Sequence, residues 1–222
     1  MSLKAQLDAC RHAFEASASP SVVAALEGSL AELAQTGLVR QAVKAGEMAP
    51  LFRLRSRNGS LVSLSEVLDR GPAVISFFRG AWCPFCQLEL QALARAQPEI
   101  ERLGATLVGL SPLPGDGESS RFPLLRDQGC RVAARYRIAF TVPPQLQPAY
   151  LALGYPNRLK KSADRWVLPL PATYIVDRNG LVMLSYVDAD YTTRLEPAEI
   201  IVALTHLRAR ASPSPPKHSG PE

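Results

Sequence analysis

The pattern of apolar and polar positions divides the chain into a helical head, a mixed α/β body and a polar tail. In the head, Leu3, Leu7, Cys10 and Phe14 recur at helical spacing, as do Val22, Leu26, Leu30 and Leu33. Ser19-Pro20 separates the two runs, with the proline suited to a first helical position, and Gly37 suits the second helix's end. Residues 1–44 thus read as a helical hairpin that either pads the core or pairs subunits.

The body spans residues 45–209. Asn58-Gly59 between two short apolar runs predicts a hairpin, and Asp177-Arg178-Asn179-Gly180 predicts another, between 173–176 and 181–184. Residues 73–78 (Ala-Val-Ile-Ser-Phe-Phe) and 106–110 (Thr-Leu-Val-Gly-Leu) read as buried strands. Between them Phe85, Leu88, Ala92 and Ala96 line one face of a helix, with Leu93 beside them. Pro98 is expected to kink this helix and Gly104 to end it. Strand, helix, strand makes a βαβ unit, so the two strands should be parallel. Short helices are expected over 65–69 and 132–136, and an amphipathic one over 197–209. Segment 142–171, with six prolines, Tyr150, Tyr155 and Trp166, is long for a connection and reads as a binding lip or a packed surface insertion. Residues 210–222 are Pro, Ser and charge, and are expected to be a disordered tail.

Composition narrows the class. The 222 residues are 47% hydrophobic, ordinary for a globular core. No apolar run approaches the ~20 residues that span a bilayer. Residues 1–8 mix apolar side chains with charge and amide and lack a signal-peptide core. A soluble cytoplasmic protein is expected. The net charge is +5, but the densest basic group, Arg158, Lys160, Lys161 and Arg165, has no interleaved aromatics. A solvated basic face fits it better than a nucleic-acid surface.

Candidate chemistry centres on Cys83-Pro84-Phe85-Cys86, set between a strand and a helix. That setting reads as a redox site. Four cysteines are too few for a disulfide scaffold in a chain of this length. Cys83 falls near the helix N-cap and Cys86 in the first turn, where unpaired N–H groups favour a thiolate. Structural zinc needs four ligands, and no second Cys-x-x-Cys or paired histidine exists; His12, His206 and His218 are isolated. No residue pattern demands a bound cofactor. Cys130 is weighed as a distal resolving thiol against a packed small residue, and packing is favoured; Cys10 lies on the apolar stripe of the first helix.

With these elements placed, the chain resembles the peroxiredoxin and thioredoxin superfamily, and within it the alkyl hydroperoxide reductase/thiol-specific antioxidant family. Residues 77–90 (Phe-Phe-Arg-Gly-Ala-Trp-Cys-Pro-Phe-Cys-Gln-Leu-Glu-Leu) carry most of the likeness; 122–127 and 173–180 extend it. The resemblance implies a thioredoxin fold, a central mixed β-sheet flanked by helices. Laid on the peroxiredoxin motif Pro-x-x-x-Thr/Ser-x-x-Cys, the peroxidatic cysteine falls on Cys86, the Thr/Ser on Cys83 and the proline on Arg79. The glutamate that follows matches Glu89. The peroxide-binding arginine before the later strand has no counterpart, because Leu170-Pro171-Ala172 stands there. The thioredoxin motif Trp-Cys-x-x-Cys matches Trp82, Cys83 and Cys86 directly, and its cis-proline falls on Pro171.

The resemblance leaves two chemistries open. In a thiol-dependent peroxidase, Cys86 attacks hydrogen peroxide or an organic hydroperoxide and Cys83 resolves the sulfenate as a disulfide. Arg79 then either replaces the missing cation or lies on the surface. In a dithiol–disulfide oxidoreductase, a more exposed Cys83 attacks a protein disulfide and Cys86 resolves it. A third reading, a binding module without chemistry, is disfavoured by the intact pair. A thioredoxin- or glutaredoxin-type reductant is the implied partner, and a homodimer is compatible.

Overall fold

The computed structural model describes residues 1–56, 58–113, 121–155 and 166–211. The head forms α1 (Leu3–Ser17) and α2 (Pro20–Gln35), followed by the short α3 (Leu38–Gln41). Ser2 caps α1 by accepting from the Ala5 N–H. The Glu196 carboxylate accepts from the Leu3 and Lys4 N–H groups at 3.2 and 2.7 Å, placing negative charge at the positive end of the helix. Leu3, Leu7 and Leu26 are buried, so the head pads the core.

Hairpin β1 (Arg53–Arg55) and β2 (Leu61–Ser63) precedes α4 (Leu64–Arg70). Then come β3 (Ala73–Phe77), α5 (Pro84–Arg102), β4 (Thr106–Ser111), β5 (Leu124–Arg126) and α6 (Arg131–Arg135). β6 (Ala139–Thr141), α7 (Gln147–Ala152) and β7 (Val167–Pro169) make up an insertion before β8 (Ala172–Val176), β9 (Val182–Val187) and α8 (Pro197–Ala211).

The main sheet has the order β5-β4-β3-β8-β9. β3 and β4 run parallel, as the βαβ reading requires, with Ile75 opposite Val108. β8 runs antiparallel to β3, and β9 to β8, so the sheet is mixed. Every residue of β3 is buried, which fits a central strand covered on both faces. Alternation sends Val74 to one core, shared with α1, α5 and α8, and Ile75 and Phe77 to the other, shared with α4 and α6. This is the central mixed sheet flanked by helices that the sequence implies.

One boundary differs from expectation, while α5 runs through Pro98 to Arg102 and stops just before Gly104, as expected. Buried Leu93 and Ile100 fasten it to the core on either side, and that packing offsets a proline penalty of about 3 kcal/mol. α8 extends to Ala211, two residues past the predicted end. Residues 212–222 of the expected tail, and the basic group at Arg158, Lys160, Lys161 and Arg165, lie outside the described residues.

Candidate active site

β3 delivers the chain to the site through a turn that needs glycine. Gly80 has φ +154°, and a Cβ there would lie 2.4 Å from the Trp82 ring nitrogen. The turn closes with Cys83 N–H donating to the Gly80 carbonyl at 3.2 Å. Cys83 is the N-cap of α5, Pro84 takes its first position, and Cys86 sits in the first turn. Both cysteines are fully buried and neither is in a disulfide.

Two guanidinium groups hold the sulfurs. Arg79 Nη2 lies 3.0 Å from Cys83 Sγ, and Arg194 Nη2 lies 3.3 Å from Cys86 Sγ. Both arginines are buried, at 1% and 8% exposure, where an unpaired charge would be strongly unfavourable. Arg194 is fully engaged. Its Nε donates to Glu89 Oε2 at 2.5 Å, and its Nη1 to the Tyr191 and Thr193 carbonyls. Glu89 Oε1 accepts from the Ser76 hydroxyl of β3 at 3.0 Å. Arg79 is different. Its guanidinium lies 4.1 Å from the Tyr191 ring centre, with Trp82 at 5.1 Å and Tyr150 at 5.5 Å. Its Nε and Nη1 have no hydrogen-bond partner among the described residues.

The sulfurs titrate as a pair. Burial pushes the Cys83 thiol up, but the hydrogen bond from Cys86 and the charges of Arg79 and Arg194 outweigh it, leaving it well below the ordinary value. Burial raises Cys86, and the neighbouring Cys83 charge raises it further, well above the ordinary value. The two sulfurs are therefore coupled, with Cys83 drawn down and Cys86 pushed up. Burial pushes the Tyr191 phenol up to about 12, so it is neutral beneath Arg79. Burial also raises the Glu89 carboxyl, while the Arg194 guanidinium pulls the other way.

A groove of about 270 Å³ opens beside this cluster. Leu30 and Leu33 of α2, Phe140, Leu146, Arg79 and Tyr191 are among the residues that line it. Pro171 and Tyr150, from segment 142–171, also line it. Tyr155 stacks on Trp166 at 4.1 Å and meets Trp82 edge-on at 5.2 Å, fastening this segment to the cysteine turn.

The model of the AhpC/TSA family matches residues 45–185. The chain belongs to the AhpC/TSA family. It is 30% identical over 154 residues to the chloroplastic peroxiredoxin Q of Suaeda salsa, covering 65% of this chain and 60% of that protein. The chain spans about three-fifths of the length of such curated relatives. In fold it is similar to the peroxidoxin BcpB of Mycobacterium tuberculosis, with TM-score 0.56 and 23% identity over 75% of this chain and 97% of that one. It is likewise similar to a reduced 2-Cys peroxiredoxin of Plasmodium vivax, with TM-score 0.57 and 16% identity over 76% and 84% of the two chains.

Set against the AhpC/TSA pattern, Cys83, Cys86, Arg79, Trp82 and Glu89 converge on one buried site, and Pro171 borders the groove beside it. One open alternative is decided and two expectations are corrected. Arg79 is not on the surface, because its guanidinium is drawn in by Cys83 and three aromatic rings. Cys83 is not the more exposed thiol, since both cysteines are fully buried. The Leu170–Pro171 bond is trans, as are all peptide bonds among the described residues; the Pro171 carbonyl faces β9 and accepts from the Asp188 N–H.

The residue that sequence reasoning missed is Arg194. It supplies a second cation from the loop between β9 and α8, 108 positions from Cys86. Nothing in Tyr191-Thr192-Thr193-Arg194 marks it locally. Cys130 is buried in the other core, with its thiol against the Val167 carbonyl, and burial raises it strongly. That is the packed role expected of it. Cys10 is half-buried against the first core. No group of three or more His, Cys, Asp or Glu among the described residues is placed to hold a metal.

Proposed function

We propose that the chain is a thiol-dependent peroxidase working through a Cys83–Cys86 dithiol. The observation that carries this reading is the buried cysteine pair held between Arg79 and Arg194, with Arg79 Nη2 3.0 Å from Cys83 Sγ and Arg194 Nη2 3.3 Å from Cys86 Sγ. In this scheme the Cys83 thiolate attacks the nearer peroxide oxygen. The O–O bond breaks, an S–O bond forms, and the leaving alkoxide or hydroxide takes a proton. The Cys86 thiol then attacks the sulfenic acid, an S–S bond forms, and water leaves with the Cys86 proton. A dithiol reductant of thioredoxin or glutaredoxin type supplies two electrons and two protons to reopen the disulfide.

The order of attack departs from the family pattern, which places the peroxidatic sulfur at Cys86. The support is electrostatic. Arg79 Nη2 lies 3.0 Å from Cys83 Sγ, nearer than Arg194 Nη2 lies to Cys86 Sγ at 3.3 Å, and the Cys83 thiol is drawn below the ordinary value. In this scheme Arg79 then does the work of the arginine missing before β8, its Nε and Nη1 having no hydrogen-bond partner among the described residues.

The dithiol–disulfide oxidoreductase reading is weaker. The family whose model matches, and the relatives the chain resembles, are peroxiredoxins. The proposed setting is the cytoplasm, whose reducing poise suits four free cysteines.

The test is one-turnover oxidation of the reduced protein by hydrogen peroxide, read by thiol titration and peptide mass. The expected result is rapid loss of two thiols per chain as a Cys83–Cys86 disulfide. Oxidation no faster than that of free cysteine would remove the proposal.

A further inference from the structure

The helical head grips the loop that carries Arg194. That loop runs from Asp188 to Glu196, between β9 and α8. α1 touches it on both sides of the arginine. Two residues after Arg194, the Glu196 carboxylate accepts from the Leu3 N–H at 3.2 Å and the Lys4 N–H at 2.7 Å. Four residues before it, Asp190 Oδ2 lies 3.8 Å from Arg11 Nη1. Between these anchors Tyr191 meets Phe85 edge-on at 5.6 Å, and Phe14 of α1 lines a small recess together with both rings.

We propose that α1 positions the second cation of the cysteine site, and that Glu196 is the residue through which it holds Arg194 against Cys86. The inference rests on the peroxidase reading above. Two residues of extended chain span at most about 7 Å, so a fixed Glu196 leaves the Arg194 backbone little room to move. All three Arg194 guanidinium nitrogens are engaged, with Nη2 at 3.3 Å from Cys86 Sγ. Hydrogen bonds weaken steeply once stretched or bent, and a misplacement of about 1 Å costs a reaction up to roughly a hundredfold. A carboxylate on the first N–H groups of a helix is a charge-assisted contact with the positive end of the helix. The Asp190–Arg11 contact is long and partly exposed, and is the weaker anchor.

The loop's internal bonds shape it without fixing where it sits. Asp190 accepts from the Thr192 N–H and hydroxyl, and Asp188 accepts from the Thr193 hydroxyl. The Glu196 carboxylate instead reaches across to α1, so its effect on the sulfurs passes through the loop. α1 is itself fastened to the core by buried Leu3 and Leu7. The cation and its holder also go together in the sequence. Arg194, Glu196 and α1 all lie outside residues 45–185, the part matched by the AhpC/TSA family.

The test is one-turnover oxidation by hydrogen peroxide of the full-length protein, Glu196→Ala, Arg194→Met and the double variant, with thiolate absorbance titrated in each. Glu196→Ala should slow oxidation about tenfold. It should also move the thiolate titration to higher pH, because a displaced Arg194 stabilises sulfur charge less. Cys83, Arg79 and Glu89, the other groups facing Cys86, are unchanged in this variant. In the Arg194→Met background, Glu196→Ala should add no further loss. Glu196→Gln keeps an acceptor for the α1 N–H groups and should slow oxidation less; it serves in the same comparisons where Glu196→Ala does not fold. Urea unfolding reports the stability of each variant separately. A lower urea midpoint with rate and titration unmoved would overturn the proposal, as would losses that multiply in the double variant. Either result leaves the peroxidase reading standing. A wild type that hydrogen peroxide oxidises no faster than free cysteine would overturn both.

Discussion

Arg79 Nη2 lies 3.0 Å from Cys83 Sγ, and the same guanidinium is pressed against the Tyr191 ring at 4.1 Å. One buried cation thereby touches one sulfur and lines the groove beside it. Arg79→Met should raise the Cys83 thiol and slow peroxide oxidation at neutral pH by about 10- to 100-fold, the worth of a hydrogen bond to a charged partner. Arg79→Lys should recover part of the loss, since it restores the charge without the planar fork. The check is a pH titration of thiolate absorbance together with the oxidation rate.

The pair also predicts a pH profile. Cys83 lies below the ordinary cysteine value of about 8.5, so the oxidation rate should hold as pH falls past that value and drop only through the depressed one. Linkage gives the matching stability curve. The Cys83 contribution is present above the unfolded value and is lost as pH falls through the folded one. The raised Cys86 contributes below the unfolded value, and its share is lost as pH rises through the folded one. Relative to the double Cys→Ser variant, reduced wild type should therefore gain stability up to about pH 8.5 and lose it above. Denaturant titrations across pH measure this.

Arg194 and Glu89 form a buried ion pair, with Glu89 also held by Ser76. Glu89→Ala leaves the Arg194 charge without its carboxylate and should lower stability by about 3–5 kcal/mol. Glu89→Gln keeps an acceptor for the Ser76 hydroxyl and should lower it less. Urea unfolding of the two reduced variants separates the cases.

Asp127 accepts from the Val132 and Ala133 N–H groups at 2.9 Å each, at the start of α6. It belongs to the opposite face of the sheet from the cysteine pair. Asp127→Ala should lower stability by about 1–2 kcal/mol, as loss of a helix cap does, with the peroxide rate unchanged. Melting curves and one-turnover rates check both halves.

What could be read from the sequence was what short-range pattern encodes. The hairpin at Asn58-Gly59 and the β8–β9 turn at Asp177 to Gly180 are fixed by local turn chemistry. The βαβ unit follows from apolar run lengths, and the cysteine pair falls at the start of α5 because strand and helix periods meet there. Arg194 escaped because only the closure of the β9–α8 loop onto α5 brings it to Cys86. Arg79 was visible as a residue but not as a buried cation; its burial depends on Tyr150 and Tyr191, 71 and 112 positions away. The Pro171 bond was misjudged because proline permits both isomers and its surroundings select one. The groove draws its lining from α2 and from segment 142–171, a pairing that no single window of sequence contains.

The central claim is that Cys83, at the position the family pattern gives to threonine or serine, makes the first attack. One-turnover peroxide oxidation of Cys83→Ser and Cys86→Ser, with the sulfenate trapped by dimedone and located by peptide mass, tests it most directly. Cys86→Ser should oxidise readily and carry the adduct on Cys83, while Cys83→Ser should react no faster than free cysteine. Wild-type-like oxidation of Cys83→Ser, with the adduct on Cys86, would contradict the account.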